Sequence, residues 1–135
     1  MNGFDAEGRK TGPWQEDDPH GGVITGSYLA GERQGAWLHH FRDGAVRSEC
    51  HYDAGKLTGE CVWYRQTGGL LQKGGFLDDE KHGFWQRFTA AGALLDEGAF
   101  DRGRKTGIWT QYAADGTVTK VTNHRAVSSE GTTPL

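Results

Sequence analysis

Residues 74–97 read GGFLDDEKHGFWQRFTAAGALLDE, and residues 98–120 say nearly the same thing again, GAFDRGRKTGIWTQYAADGTVTK. Both follow G-x-F-x-x-(G/D)-x-x-x-G-x-W-x-x-(F/Y)-x-x-x-G-x-(L/V). Three further copies lie upstream: GSYLAGERQGAWLHHFRDGAV from Gly26, CHYDAGKLTGECVWYRQTGGL from Cys50, and NGFDAEGRKTGPWQEDDPHGGV from Asn2, the last with one extra residue before Gly12. The first aromatic of each copy falls at Phe4, Tyr28, Tyr52, Phe76 and Phe100, a spacing of 24 every time. A fixed period of this length marks a repeat architecture. The units run over residues 2–25, 26–49, 50–73, 74–97 and 98–121.

Apolar residues never recur at helical spacing, so helices are not expected. Short stretches rich in Trp, Tyr, Phe, Val and Leu alternate instead with Gly- and Asp-bearing turns, the hairpin signal. Each unit therefore reads as one β-hairpin, and the chain as an all-β, elongated, single-layer antiparallel meander of about ten short strands. Asp43-Gly44 and Asp115-Gly116 suit two-residue type I′ turns. The other connection of each unit (LAGERQG, DAGKLTG, LDDEKHG, DRGRKTG) reads as longer and polar. With those turns, Trp37 lies opposite Cys50 and Phe41 opposite Val46. In the next hairpin Cys50 faces Cys61 and Tyr52 faces Gly59.

Alternation then places the Trp of each unit, its first aromatic and the Leu or Val after the turn on one face. Trp14, Trp37, Trp85 and Trp109 recur every second strand, roughly 10 Å apart. A Gly between them leaves each indole room to lie over bare backbone. In the third unit Cys61 takes the Trp position and Trp63 follows two residues later, which keeps the indole on the same face. After Lys120 the pattern stops. A last strand is expected near Val121, and residues 122–135 read as a polar, flexible tail.

The chain of 135 residues carries a net charge of −3, 22 glycines and two cysteines. The mild charge argues against a nucleic-acid partner. No apolar run reaches the roughly 18–20 residues of a membrane span. MNGFDAEGRK lacks a basic segment followed by an apolar one, so no secretory signal is expected and the cytoplasm is the expected location. Cys50 and Cys61 do not make a disulfide framework, and a reducing cytoplasm argues against their bonding. His39, His40, Cys50, His51 and Cys61 lack the tight spacing of zinc ligands. No nucleophile motif or phosphate loop is present, so neither enzyme activity nor a cofactor is expected.

The repeat resembles the MORN repeat, in the variant found in bacterial YwqK-type antitoxins, over residues 2–121. The resemblance implies a twisted single-layer sheet that serves as a binding surface, without catalytic residues. It implies an antitoxin or immunity protein that occludes the active site of a cognate toxin. The rival expectation, also from the resemblance, is a scaffold or membrane-surface module, although the chain shows no basic cluster to hold anionic lipid. Candidate partner-binding residues are the aromatic row Trp14, Trp37, Trp63, Trp85 and Trp109 with Tyr52, since Trp and Tyr bury large areas at low entropic cost; an equal reading takes most of them as the core that holds the repeat together. Glu16, Asp17 and Asp18, with Asp78 and Asp79, could steer a basic partner such as a nuclease or deaminase domain. Glu16, His39, Arg87 and Gln111 share the face of the indoles.

Overall fold

The computed structural model describes residues 1–124 and is all-β. Twelve strands form one open antiparallel sheet: β1 (Gly3–Phe4), β2 (Lys10–Asp17), β3 (Val23–Leu29), β4 (Glu32–His40), β5 (Val46–Asp53), β6 (Lys56–Leu57), β7 (Gly59–Tyr64), β8 (Leu70–Leu77), β9 (Glu80–Phe88), β10 (Leu94–Asp101), β11 (Arg104–Tyr112) and β12 (Val118–His124). Neighbours in sequence are neighbours in space, and only the two-residue β6 falls off the path, pairing with β5 alone. The count exceeds ten because the second arm of the third hairpin is split into β6 and β7 and because β12 adds an arm beyond the fifth unit. That arm runs to His124, and the rest of the tail expected after residue 121 lies outside the described residues.

β12 continues the repeat. His124 falls 24 residues after Phe100 and rests edge-on against Trp109, at 6.5 Å between ring centres, as Phe100 does against Trp85 at 5.8 Å. At the other end Asn2 extends the sheet with its side chain. Its Nδ2 donates to the Gln15 carbonyl at 3.1 Å, and its Oδ1 accepts from the Gln15 amide at 2.7 Å.

The two kinds of turn are the reverse of the expectation. The short connections are Ala30-Gly31, Ala54-Gly55, Asp78-Asp79 and Arg102-Gly103. Ladder pairs close directly on either side of each (Leu29 with Glu32, Asp53 with Lys56, Leu77 with Glu80, Asp101 with Arg104). All eight central residues have positive φ, between 48° and 90°, as a type I′ turn requires. The Asp-Gly connections are longer. Phe41 accepts from the Gly44 amide and donates to the Ala45 carbonyl, and only Gly44 of this turn has positive φ. This is a type I turn followed by a left-handed Gly. Accordingly Val46 faces His40 rather than Phe41. In the next hairpin Tyr52 faces Leu57 rather than Gly59, because the I′ turn is centred one residue earlier than expected.

Trp37 does face Cys50. Glu49 with Val62 and Ser48 with Trp63 carry the register that sets Cys50 against Cys61, and these two form a disulfide with Cα atoms 4.3 Å apart. The cysteines are thus bonded, not two unlinked fillers of Gly and Trp positions.

The core is a single file of side chains on one face. Trp14, Trp37, Cys61, Trp85 and Trp109 are buried although no second layer among the described residues covers them. Gly supplies the floor: a Cβ at Gly26, Gly74 or Gly98 would come within 2.0–2.3 Å of the indole above it. The indole N–H of Trp37, Trp85 and Trp109 donates to the carbonyl one residue beyond that Gly, at 2.9–3.0 Å. Rings supply the walls. Tyr28 stands edge-on between Trp14 and Trp37, and Phe100 between Trp85 and Trp109. Edge-to-face geometry sets each ring's positive rim against its neighbour's negative face. In the third unit the disulfide fills the place of the Gly–Trp stack, and Trp63 leans instead on Trp85 and Phe76.

Candidate interaction surface

The roof of four of the five indoles is a cation. Lys10 lies 4.6 Å from the centre of the Trp14 ring, Arg33 4.3 Å from Trp37, Lys81 4.8 Å from Trp85 and Lys105 4.6 Å from Trp109. These residues occupy one position of the repeat, which the third unit gives to Leu57. A cation over an indole is attracted by the ring's negative face, and its aliphatic stem covers apolar surface. The sheet in this way buries Trp14, Trp37, Trp85 and Trp109 with parts of itself.

This burial limits what the expected partner-binding row can offer. Trp37 and Trp85 are 3% exposed, and Trp14 and Trp109 at most 9%. They hold the fold and present little area to another molecule. Trp63 and Tyr52 remain half-buried.

The expected acidic residues are not brought together. Glu16, Asp17 and Asp18 lie at the edge formed by the longer turns, and Asp78 and Asp79 at the opposite, type I′ edge. A strand of eight residues, roughly 25 Å, separates the two. Most of these carboxylates are also engaged within the chain. Glu16 accepts from the Tyr28 hydroxyl at 2.7 Å and from Lys10 at 3.2 Å. Burial works to raise its pKa, but these bonds outweigh it and hold the carboxyl below its ordinary value. Asp18 bonds the His20 amide and the His39 ring, which keep it ionised to lower pH. Asp79 accepts from the Leu57 amide at 2.7 Å, so it serves the turn. Asp17 and Asp78 are exposed.

One polar group in the file is buried. Asp96, 5% exposed, receives both Nε and Nη2 of Arg87 at 3.0 and 2.5 Å, and this paired charge raises the arginine's pKa. A shallow hollow of about 190 Å³ beside the pair is lined by Arg87, Leu95, Asp96, Gln111, Tyr112 and Thr119. Among the described residues no three His, Cys, Asp or Glu side chains converge as metal ligands. None of the described residues forms a helix long and apolar enough to cross a membrane.

The opposite face is more open. Phe84 is 56% exposed, Ile108 54% and Val121 56%. Phe84 faces Ala99 across β9 and β10, and Val121 faces Thr110 across β11 and β12, so all three share the face turned away from the indoles. Phe84 and Ile108 occupy the same repeat position, immediately before the Trp, where earlier units have Pro13, Ala36 and Glu60. That change of residue class across the copies was visible in the sequence, but the Trp row drew the reading away from it.

No protein-family profile and no curated protein matches the chain.

Proposed function

We propose that the chain is a non-catalytic protein-binding module that acts as an antitoxin or immunity protein, covering the active site of a cognate toxin. The observation that carries the binding reading is the apolar surface of Phe84, Ile108 and Val121 on an uncovered face of a single-layer sheet. Large exposed apolar side chains grouped on one face mark interaction sites. The toxin as partner rests on the resemblance of the repeat to YwqK-type antitoxins. Occlusion suits an open single-layer sheet that presents a broad surface.

The test is affinity capture of the tagged protein from its native lysate, with partners identified by mass spectrometry. One stoichiometric protein with a toxic domain is the expected result. Phe84→Ser combined with Ile108→Ser should abolish its capture while the indole fluorescence of the folded sheet is unchanged. Equal capture by the folded variant would remove this face from the interface.

A further inference from the structure

The cations over the indoles are not equivalent. In the first two units Glu16 neutralises them, lying 3.2 Å from Lys10 and 3.5 Å from Arg33. The repeat position of Glu16 is held by Arg87 in the fourth unit and Gln111 in the fifth. Arg87 is committed to Asp96. Among the described residues no carboxylate lies within ion-pair distance of Lys81 or Lys105. Both lysines are exposed residues, yet the ammonium of each lies over a ring face: Lys81 over Trp85 and Phe100, Lys105 over Trp109. A lysine already positioned loses less freedom when it meets an anion.

We infer that Lys81 and Lys105 form a docking surface for an extended acidic segment of a protein partner, running along the length of the sheet. The inference rests on the protein-binding reading and adds a second contact with its own chemistry, on the indole face opposite Phe84 and Ile108. Its spacing follows from the ladder. The two lysines stand on β9 and β11, two strand spacings or roughly 9.6 Å apart. A segment in the polyproline II conformation rises about 3.1 Å per residue with three residues per turn, so carboxylates three positions apart lie on one side of it and recur at roughly 9.3 Å. The surface fits Asp or Glu at every third position.

An anionic membrane suits the same lysines less well. Asp78, Asp79 and Glu80 line one rim of these units and Asp115 stands exposed on the other. A negatively charged plane would press on both rims, whereas a single extended segment lies between them.

The experiment uses the whole protein and a short fluorescein-labelled Gly-Ser peptide with Glu at every third position. A second peptide carries the same glutamates contiguously. Vesicles of phosphatidylcholine with one-fifth phosphatidylserine form the third probe. The spaced peptide should bind more tightly than the contiguous one, and added salt should weaken it. Lys81→Gln with Lys105→Gln should weaken it about fivefold, the loss of two exposed ion pairs. Lys81→Arg with Lys105→Arg should keep binding, as should Lys10→Gln, and both serve as folded controls. Equal affinity for the two peptides, or no loss in the Gln variant, overturns the inference. So does lysine-dependent pelleting with vesicles in the absence of peptide binding. If both the wild type and the Gln variant capture a protein partner and bind peptide alike, this surface fails and the protein-binding reading stands. Lysine-dependent peptide binding without any captured partner upholds the surface and counts against that reading.

Discussion

A Cβ on Gly74 would sit 2.0 Å from Cδ2 of Trp85, so this glycine is chosen for the space above it. Gly74→Ala should force the indole off its floor and cost about 1–3 kcal/mol, the usual penalty of overpacking. Gly69→Ala is the control, because nothing lies within 4 Å of its Cβ position and its φ is not left-handed. It should change stability by less than about 0.5 kcal/mol. Urea unfolding followed by Trp fluorescence reads both. The floor was legible in the sequence, since Gly and Trp recur together and alternation sets them on one face. The roof was not. Whether Lys81 folds back over Trp85 or extends into water depends on its rotamer, which spacing does not encode. Whether the Trp row is core or interface stayed open in the sequence for this reason: the spacing does not show the cations that cover the indoles.

At the scale of the element, the turns show where pattern reading fails. Asp-Gly suits a type I′ turn and also a type I turn that ends in a left-handed Gly. Asp43 lacks the positive φ that would have made it the former. Conversely, Ala54 adopts φ of 49° in a true type I′ turn, and Asp78 and Asp79 are left-handed together at 49° and 71°. Backbone bonds to the preceding hairpin hold these turns: Gly55 donates to Arg33 at 2.9 Å, Asp79 to Leu57 at 3.1 Å. Ala54→Gly should therefore stabilise the protein by about 0.5–1 kcal/mol, since Ala bears a left-handed penalty that Gly escapes. A higher urea midpoint at unchanged slope is the expected reading. The third hairpin carries the disulfide, and reducing it should cost about 2–3 kcal/mol, given a sequence separation of 11. Unfolding with and without reductant measures this, and unreduced protein should show no free thiol among Cys50 and Cys61.

Among the described residues the strands pair in chain order, so the molecule is a stack of units, each hydrogen-bonded to the next. Deleting residues 74–97 joins Lys73 to Gly98, and Gly98 then takes the place Gly74 held against Cys61. The shortened chain should fold, with a strand-type circular dichroism spectrum and lower stability, because repeat arrays lose stability roughly by units and interfaces. Acid should loosen the whole array. Asp5, Glu16, Asp18 and Asp115 are each held below their ordinary pKa, Asp5 chiefly by the Arg9 amide and Asp115 by the Thr117 hydroxyl. A carboxylate with a depressed folded pKa contributes its stability above the unfolded value and loses it as pH falls through the folded one. The urea midpoint should accordingly be flat above about pH 5 and fall below about pH 4.5. Glu16→Gln should make that fall shallower.

The disulfide has a mechanical meaning. A meander held by its two ends has no strand pair loaded in shear, so tension opens it like a zipper, one hydrogen bond after another. Hairpins would peel from either end at low force until the crack reaches β5 and β7. There the covalent link between Cys50 and Cys61 stops it and withholds the intervening loop of ten residues from extension, roughly 35 Å of contour. A single-molecule pulling trace in oxidising buffer should fall short of the fully extended chain by that length, and reductant should restore it.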